Sequence, residues 1–439
     1  MGRKNPPATP SPAGIARIVH LPPDGVGGDV GLLCEDRLEM VPLPPERLAG
    51  LVEGDLVSVH RGTGGLVSRL ERVGGALPGA WAGGVGDPLR WRPPTGNTPS
   101  RMAFLRLRQS VLQEIRAWLD GQGFLEVDTP VLVPAPSPEA VFTPLPAGGG
   151  YLITSPEFQL KRMLVGGFPA LYRLGPVFRG AEIGAQHNPE FSMLEWYRAG
   201  AGLPDLATDL ATLLKRLVPL AEESARQWEA LGGTGDGAAA TRAQAARLRE
   251  RARLMDGGQI PQVSVAALFR QHLGMDIGGV TDVAGLRAAA SRARRAAASL
   301  PGDFTGVFSA LWVEVEEHLT PAPLLVVDWP APTASLARLK PEDPTLAERM
   351  ELYAGGMELA NGFAELTDAA EQRRRFLADL AGRRAQGLPP LPLDEAFLRA
   401  LEQGLPPAAG MALGVDRLVM LVTGAPAIGS VLPFAWNER

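Results

Sequence analysis

The sequence predicts an α+β fold in which helices flank an antiparallel sheet, preceded by a small domain of short β-strands. The first observation is a pair of β-type runs at residues 171–178 and 191–197, joined by a polar, turn-rich loop. The second is an amphipathic stripe over residues 100–119, typical of a long helix with one buried face. The third is a series of five short β-type runs within residues 14–75. Together they separate a β-rich first part from a larger mixed part at residues 100–439.

Composition sets broad limits on what the chain does. Its 439 residues allow two or three domains, and a formal net charge of −5 gives no broad basic surface for nucleic acid. Cys34 is the only cysteine, so the sequence offers neither a disulfide framework nor a cysteine metal site, as in a reducing compartment. No apolar run approaches the length of a membrane span, and the first residues lack the apolar core of a signal peptide. These features predict a cytoplasmic protein with no membrane partner.

The segment before residue 100 divides into a tail, a small domain and a linker. Residues 1–13 are rich in proline and are predicted to be disordered, and residues 76–99, rich in glycine and proline, are predicted to be a linker. Between them, the five β-type runs favour a small barrel of the OB type over residues 14–75. Such barrels often bind single-stranded nucleic acid on aromatic side chains, yet residues 1–80 contain no Phe, Tyr or Trp. We therefore favour a structural or protein-docking role for this domain.

The larger part begins with elements that need no function of their own. The helix predicted over residues 100–119 ends at Gly123, and a strand interrupted at Pro130 follows. Further on, a strand turns into a helix at Ser155, and Glu157 lies in the first helical turn. A serine cap and an acid near the positive end of the helix dipole account for this pattern as an ordinary helix start.

The hairpin at residues 171–197 is the first element with a functional pattern. On the returning strand, alternation places Phe191, Met193, Glu195 and Tyr197 on one face, and an acid between aromatic residues is unusual for a core face. Across the loop, Arg179 and His187 flank a flexible segment, an arrangement that suits a polyphosphate. The alternative is a hairpin whose acid and base merely pair with each other.

A second hairpin is predicted at the sequence MELYAGGMELANGFAELTD, residues 350–368. A two-residue loop at Gly355–Gly356 pairs Tyr353 with Glu358, so that Glu351 and Glu358 face the same side. Like charges placed together in a sheet favour a cation, and oxygen ligands of this kind suit Mg²⁺ beside substrate phosphates. The alternative is an exposed acidic hairpin.

Simple alternation in this second hairpin would turn Glu365 away from Glu358. A bulge at Asn361–Gly362 would reset the alternation. We therefore predict a bulge there, which brings Asn361, Phe363 and Glu365 into the site.

A third cluster, GMALGVDRLVMLVTG, joins a strand directly to a helix. Ala412 and Gly414 end the strand, the helix begins near Asp416, and Arg417 lies in its first turn. A helix N-terminus with a guanidinium group favours binding of an anion and of adenine. The rest of this part is predicted to contain helices at residues 205–231 and 311–318, a surface insertion at residues 232–258 and a buried strand at residues 321–330.

These segments resemble the three motifs of the class II aminoacyl-tRNA synthetases. RGAEIGAQHNPEFSMLEWY resembles motif 2 in its lysine-type form, and the last cluster resembles motif 3. The helix, strand and Pro130 resemble motif 1, which forms the dimer interface in that family and so implies a homodimer. In lysine-type synthetases the equivalent of TSPE, residues 154–157, lies in the amino acid pocket. The resemblance covers residues 100–439 and implies a class II catalytic domain there.

Within that family, the branch most similar to this chain is that of the elongation factor P lysine ligases. Ala412 stands where the tRNA-charging enzymes have glycine and that branch has alanine. The resemblance implies an ATP-dependent ligase that uses Mg²⁺, activates lysine or β-lysine as an adenylate, and transfers it to a lysine of elongation factor P. One alternative is a lysyl-tRNA synthetase with a reduced anticodon domain, which would act on tRNA. A second is a non-catalytic paralogue that binds lysine or a nucleotide for regulation.

The same resemblance assigns the site residues, with Arg179 and Arg417 as the catalytic pair. The residues implied to bind ATP are Arg179, Glu182, His187, Asn188, Phe191, Glu358, Leu359, Gly414 and Arg417. Those implied to bind the amino acid are Ser155, Glu157, Glu195, Tyr197, Asn361, Glu365 and Ala412. The residues implied to hold Mg²⁺ are Glu351 and Glu358.

Two departures from the family pattern stand out. After Arg179 the family has a polar residue and then Glu, whereas this chain has Gly180 and Ala181 before Glu182, which puts the adenine-side contact in doubt. The ligase branch consists of a bare catalytic domain, so the β-rich segment at residues 14–75 is not expected, and it keeps the tRNA enzyme as the alternative.

Overall fold

The computed structural model describes most of the chain. Its described residues are 14–22, 28–34, 37–53, 55–62, 66–75, 99, 101–139, 142–230, 238–295 and 302–436. The predicted tail, and the predicted linker apart from Pro99, lie outside them. The chain divides into two compact units, a first made mainly of residues 1–106 and a second made mainly of residues 107–226 and 243–437.

The first unit contains the five predicted strands. They are β1 (Gly14–His20), β2 (Gly28–Cys34), β3 (Arg37–Leu43), β4 (Leu56–Arg61) and β5 (Val67–Gly74). They form one antiparallel sheet in the order β3-β2-β1-β4-β5, whose apolar face includes Ile18, Leu32 and Val57. Among the described residues no ladder joins the two edge strands, so the barrel closure is not confirmed.

The remaining elements form an α+β arrangement, as the sequence predicts. The strands are β6 (Leu125–Glu126), β7 (Leu132–Val133), β8 (Pro146–Ala147), β9 (Gly150–Leu152), β10 (Ala170–Phe178), β11 (Glu190–Ala199), β12 (Gln262–Ser264), β13 (Leu324–Pro330), β14 (Leu346–Ala354), β15 (Met357–Ala364) and β16 (Ala408–Gly414). The helices are α1 (Arg101–Gly121), α2 (Glu157–Val165), α3 (Leu203–Ala230), α4 (Ala238–Met255), α5 (Val265–Leu268), α6 (Val283–Arg292), α7 (Phe304–Glu316), α8 (Ala369–Ala385), α9 (Glu395–Gly404), α10 (Val415–Thr423) and α11 (Ile428–Val431).

A single eight-stranded sheet organises the second unit. Its order is β12-β13-β14-β15-β16-β11-β10-β6, and all pairs are antiparallel except β12 with β13 and β6 with β10. A separate three-stranded sheet has the order β7-β9-β8. Strand β16 pairs with both β11 and β15, so elements far apart in sequence become neighbours.

The predicted hairpin at residues 171–197 forms with a regular register. Strands β10 and β11 pair from Ala170 with Arg198 to Phe178 with Glu190. Alternation along β11 therefore places Phe191, Glu195 and Tyr197 on one face, as predicted.

The second hairpin corrects one prediction. Tyr353 pairs with Glu358 across the Gly355–Gly356 loop, as expected, but Leu352 then pairs with Ala360, so the extra residue is Leu359. The predicted bulge at Asn361–Gly362 is wrong because Gly362 is needed for close strand packing. A Cβ atom there would lie 2.5 Å from the Cε atom of Met411. The earlier bulge has the predicted consequence, since it resets the alternation and Asn361 pairs opposite Glu351.

Helix α4 lies in the segment predicted as a surface insertion. One side of this helix is buried through Ala245, Leu248 and Ala252, and the Gln244 amide donates to the Gly424 carbonyl. The described part of the predicted insertion therefore contributes to packing. No helix in the described part of the chain is long and apolar enough to cross a membrane.

A buried ion pair joins α1, β11 and α10. The Arg108 guanidinium contacts Asp416 and donates to the Ser192 hydroxyl at 2.9 Å. Asp416 also accepts from the Ser192 backbone N–H at 2.8 Å. Burial raises the pKa of Asp416, whereas Arg108 and the backbone donor lower it. The carboxylate thus depends on these partners to stay charged inside the fold.

We expect Arg108→Met to destabilise the protein by about 3 kcal/mol, because it leaves a buried carboxylate without its cation. Adding Asp416→Asn should recover most of that loss. The free energy of unfolding in urea measures both effects. Arg373→Met is the matched control, since Arg373 pairs with Glu395 in solvent and its loss should cost less than about 1 kcal/mol. Equal losses in Arg108→Met and Arg373→Met would contradict this role.

Candidate functional site

A cavity of about 380 Å³ lies on one face of the large sheet, within the second unit. This volume is in the range of small-molecule sites. The predicted site residues that line it are Ser155, Glu157, Arg179, Glu182, His187, Asn188, Phe191, Glu195, Tyr197, Glu351, Glu358, Leu359, Asn361, Ala412, Gly414 and Arg417. Glu365 is buried next to the cavity-lining Gly410. The fold therefore gathers segments that are more than two hundred residues apart.

One end of the cavity holds a pair of nitrogen-rich side chains. Arg417, in the first turn of α10, donates to the Glu358 carbonyl at 2.8 Å and lies 2.6 Å from the Nε2 atom of His187. Burial and the adjacent Arg417 charge lower the pKa of His187, so the imidazole is neutral and accepts through Nε2. The two side chains are thereby fixed together. Because the Glu358 carboxylate lies 3.7 Å from Arg417, this end suits an anion that is accompanied by a cation.

Arg179 occupies the middle of the cavity. Its guanidinium lies over the Phe142 ring, 4.2 Å from the centroid, and 5.3 Å from the centroid of Phe191. Its Nε atom donates to the Thr154 carbonyl at 3.4 Å. Among the described residues no carboxylate lies within ion-pair distance of Arg179. This stacked cation is therefore held in place while its charge remains available to a ligand.

The opposite end is acidic. The Ser155 hydroxyl donates to one oxygen of Glu195 at 2.6 Å, and the Tyr197 hydroxyl donates to the other at 3.1 Å. Burial and the nearby Glu157 raise the pKa of Glu195 to about 7, despite the two hydroxyl donors. Burial also raises the pKa of Tyr197 well above its ordinary value, so this hydroxyl stays protonated. Glu195 thus lacks a cation in direct contact among the described residues.

A lysine that sequence reasoning missed lies beside this acidic end. The Nζ atom of Lys161 contacts Glu157 at 2.5 Å and also contacts Glu365. Burial raises the pKa of Glu365 to about 8, with Lys161 opposing the shift. The spacing of Glu157 and Lys161, four residues apart on one helix, was a readable signal for their pairing. The contact with Glu365 has no such signal, because β15 and α2 meet only in the folded chain.

The two residues predicted to hold Mg²⁺ both line the cavity, but Glu351 already has protein partners. Arg349, also missed in the sequence, donates to Glu351 at 2.5 Å, and the Tyr353 hydroxyl donates to its other oxygen at 2.8 Å. Burial raises the pKa of Glu351 to about 7, and Glu358 adds to the shift. No cluster of three or more acidic, histidine or cysteine ligands occurs among the described residues. Two neighbouring acids fit a cation that takes its other ligands from phosphates and water.

Three further predicted residues, Asn188, Leu359 and Asn361, differ in their contacts with the protein. The side-chain amide of Asn188 donates to the Glu190 carbonyl and accepts from the Trp436 backbone N–H at 2.9 Å, so it orders the loop. Leu359 is buried at the bulge. The Oδ1 atom of Asn361 is buried without a hydrogen-bond partner among the described residues, which leaves an acceptor for a ligand.

Strand β16 brings small residues against the acidic end. Ala412 pairs with Glu195 on one side and Asn361 on the other, and Gly414 pairs with Met193. Gly410 leaves space beside Tyr197, because a Cβ atom there would lie 2.1 Å from the tyrosine ring.

The geometry accounts for the unusual Gly180 of the motif 2 loop. The Gly180 backbone N–H donates to the Thr143 carbonyl at 2.8 Å, and a Cβ atom at Gly180 would lie 2.9 Å from the Leu145 side chain. Ala181 adopts a left-handed conformation with φ of 64°. The loop therefore turns tightly against residues 143–145 before it reaches the cavity-lining Glu182.

Comparison with known proteins gives consistent matches for this site and fold. The chain is 36% identical over 371 residues to the elongation factor P–(R)-β-lysine ligase of Edwardsiella ictaluri, covering 80% of this chain and 99% of that protein. It is 37% identical over 340 residues to the ligase of the same name from Klebsiella pneumoniae, covering 74% and 93%. It is 34% identical over 368 residues to the lysine–tRNA ligase of Pelotomaculum thermopropionicum, covering 82% and 69%.

A family profile matches a larger share of the chain than the motifs alone. The profile is described as tRNA synthetases class II (D, K and N), and it matches residues 94–438. This range contains every residue of the cavity described above. The chain therefore belongs to the class II tRNA synthetase family, in the group that includes the lysine enzymes.

Proposed function

We propose that this protein activates lysine or β-lysine with ATP and transfers it to a lysine side chain of elongation factor P. The observation that carries the proposal is the charge arrangement of one cavity. Glu157 and Glu195 lie with Glu365 at one part of it, Arg417 lies beside His187 and the Glu358 carboxylate at another, and Arg179 interacts electrostatically with both Glu195 and Glu358. This order matches a diamino acid whose carboxylate lies beside the phosphates of ATP. The names of the relatives from Edwardsiella ictaluri and Klebsiella pneumoniae support the choice of substrate and acceptor.

At the acidic end, two ammonium groups need two separate acceptors. We assign the backbone amine to Glu157 with Tyr197, and the side-chain ammonium to Glu365. Ser155 and Tyr197 hold Glu195 in place, and the free acceptor of Asn361 adds a neutral contact. A buried carboxylate attracts an ammonium group more strongly than an exposed carboxylate does, since water does not screen the pair.

At the end that contains Arg417 and His187, we propose that the residues bind ATP. Phe191 offers a ring for adenine, while His187 and Arg417 are placed for the outer phosphates. Glu358 would hold Mg²⁺, and Glu351 would join it once Glu351 releases Arg349. When bound, this ion neutralises charge on the departing pyrophosphate.

The chemistry then follows from position and charge. A substrate carboxylate oxygen attacks the α-phosphorus, the bond to the β-phosphate oxygen breaks, and pyrophosphate leaves. Arg179 stabilises the charge that develops on the α-phosphate and holds the carboxylate in line. In the second step, the amine of an acceptor lysine attacks the acyl carbon, an amide forms, and AMP leaves with the bonding electrons while the amine loses a proton.

The alternative acceptor is tRNA, as in a lysyl-tRNA synthetase. The first unit favours it, because a five-stranded sheet precedes the catalytic unit. Two observations favour the protein acceptor. The match covers 99% of the Edwardsiella ictaluri ligase but 69% of the tRNA ligase, and residues 1–80 contain no aromatic side chain for base stacking. A cytoplasmic location and a homodimer that uses α1 and β6 are part of this proposal.

Pyrophosphate exchange into ATP tests the activation step. We expect exchange with lysine or β-lysine, followed by transfer of the labelled amino acid to elongation factor P. Arg179→Ala should abolish exchange, because the α-phosphate loses its cation, whereas the exposed-site control Arg373→Ala should retain it. Exchange with neither amino acid would favour a regulatory paralogue. Charging of tRNA instead of elongation factor P would overturn the proposed acceptor.

We expect Glu365→Gln to raise the KM for lysine by roughly 10- to 100-fold, because a charged hydrogen bond to the substrate is lost. The KM for ATP should stay within about twofold, since Glu365 lies away from the nucleotide end. Steady-state exchange rates at varied lysine and varied ATP measure both constants. Glu348→Gln serves as the control, because Glu348 pairs with Arg338 outside the cavity. An unchanged lysine KM would contradict the assignment of Glu365.

Lysine binding should also become tighter as pH rises. In the unliganded cavity the pKa of Glu195 is raised to about 7 and that of Glu365 to about 8. An ammonium group binds the ionised form, so binding expels these protons, and the dissociation constant should fall by up to about tenfold per pH unit for each proton released. Calorimetry between pH 6 and pH 8.5 measures this effect. Leaving out ATP and Mg²⁺ excludes the contribution of metal binding at Glu351. A flat profile would contradict it, and Glu365→Gln should flatten the upper part of the curve.

A further inference from the structure

Lys161 is the only lysine buried in the described part of the chain, with 1% of its surface exposed. The sequence has four lysines among its 43 Lys and Arg residues, so a lysine at this buried position departs from the general use of arginine. A compact ammonium group fits between two carboxylates where a planar guanidinium would need more room. Although burial alone would lower the pKa of Lys161, the charges of Glu157 and Glu365 raise it. The side chain is therefore a permanent cation within the fold.

Lys161 uses only one oxygen of each acid that it contacts. Its Nζ atom meets Oε1 of Glu157 and Oε2 of Glu365. Oε1 of Glu365 is buried and has no hydrogen-bond partner among the described residues. That oxygen borders the cavity, because a Cβ atom added to the cavity-lining Gly410 would lie 2.7 Å from it. A buried, unpartnered carboxylate oxygen beside a cavity is an acceptor for a ligand.

The acidic end contains more carboxyl groups than cations in direct contact with them. Lys161 is the only cation within ion-pair distance of Glu157 and Glu365 among the described residues, and Glu195 has none. Arg173 and Arg179 act on Glu195 only at longer range, and Arg173 donates to the Pro176 carbonyl. When all three acids are ionised they face one resident ammonium, and two further ammonium groups would balance the cluster. Without a ligand, protons on Glu195 and Glu365 take the place of those ammonium groups.

We propose that Lys161 is a positioning residue that sets the selectivity for a diamino acid. Its ammonium neutralises one carboxylate charge and turns the second oxygen of Glu365 toward the cavity, so the site offers places for two substrate ammonium groups. Without Lys161, the two acids would share a proton or separate, and the second oxygen of Glu365 would no longer be held toward the cavity. The inference rests on the proposed function, since it concerns recognition of the same amino acid.

The first test compares Lys161→Met, which keeps the side-chain length but removes the charge, with the wild type. We expect lysine to bind roughly 10- to 100-fold more weakly in calorimetry, with ATP binding unchanged. Lys340→Met is the matched control, because Lys340 pairs with Asp328 outside the cavity and its loss should leave lysine binding unchanged. Weakening of ATP and lysine binding to the same extent would indicate a general structural role and overturn the proposal.

A double-mutant cycle asks whether Lys161 acts through Glu365. The double variant Lys161→Met with Glu365→Gln removes one cation and one anion, so it should fold even if the buried acids destabilise Lys161→Met. We expect lysine to bind the double variant about as weakly as it binds Glu365→Gln alone. Losses that add fully would show that Lys161 acts independently of Glu365, which overturns the proposal.

Chemical rescue separates charge from packing. Lys161→Ala should regain lysine binding when propylammonium is added, and propanol of the same size should not restore it. Equal rescue by both, or by neither, would overturn the proposal. Lysine binding and pyrophosphate exchange, both measured on the wild type, distinguish failure of this inference from failure of the proposed function. If the wild type binds lysine without pyrophosphate exchange, only the proposed function fails, whereas a wild type that binds no diamino acid refutes both.

Discussion

Three carboxylates beside one buried ammonium group constrain the rest of the catalytic unit. Glu157 lies in α2, Glu195 lies in β11 and Glu365 directly follows β15, and taking each charge out of water without a partner would cost free energy. The sheet tolerates them because hydroxyl donors from Ser155 and Tyr197 satisfy Glu195, while Lys161 bridges the other two. Under the proposed function, the negative charge that remains when these acids are ionised attracts the substrate's ammonium groups.

The same sheet places a guanidinium and an imidazole at a fixed separation from that acidic end. Strand β16 pairs with β11 and β15, so the helix that follows it delivers Arg417 next to the loop that carries His187. The ladder between β11 and β16 positions Glu195 together with the strand that leads into α10. Such preorganisation is what acyl-adenylate formation requires, since the reaction depends on alignment of a carboxylate with a phosphate more than on any nucleophilic side chain.

Much of this arrangement could be predicted from the sequence, and the exceptions have physical causes. The Gly355–Gly356 loop fixed the pairing of Tyr353 with Glu358, and alternation fixed which side of β11 carries Glu195. The bulge was misplaced because a glycine that permits close packing against Met411 looks the same in sequence as one that permits a bulge. Lys161 and Arg349 were missed because their partners are set by tertiary contacts. The pattern of strand residues also does not show whether the two edge strands of the first sheet pair with each other.

Buried acids also link the function of the cavity to the stability of the fold. A carboxyl group whose pKa is raised in the folded state stabilises the protein most below its unfolded pKa, and that contribution is lost as pH rises through the folded value. For Glu195 and Glu365 the loss accumulates from their ordinary pKa of 4.5 and is complete near pH 7 to 8, the range in which the proposed binding of ammonium groups requires them to be ionised. A bound diamine returns the lost free energy, because it binds the folded state alone. The unliganded site is thus less stable than a neutral one would be, and under the proposed function a diamine would recover that difference on binding.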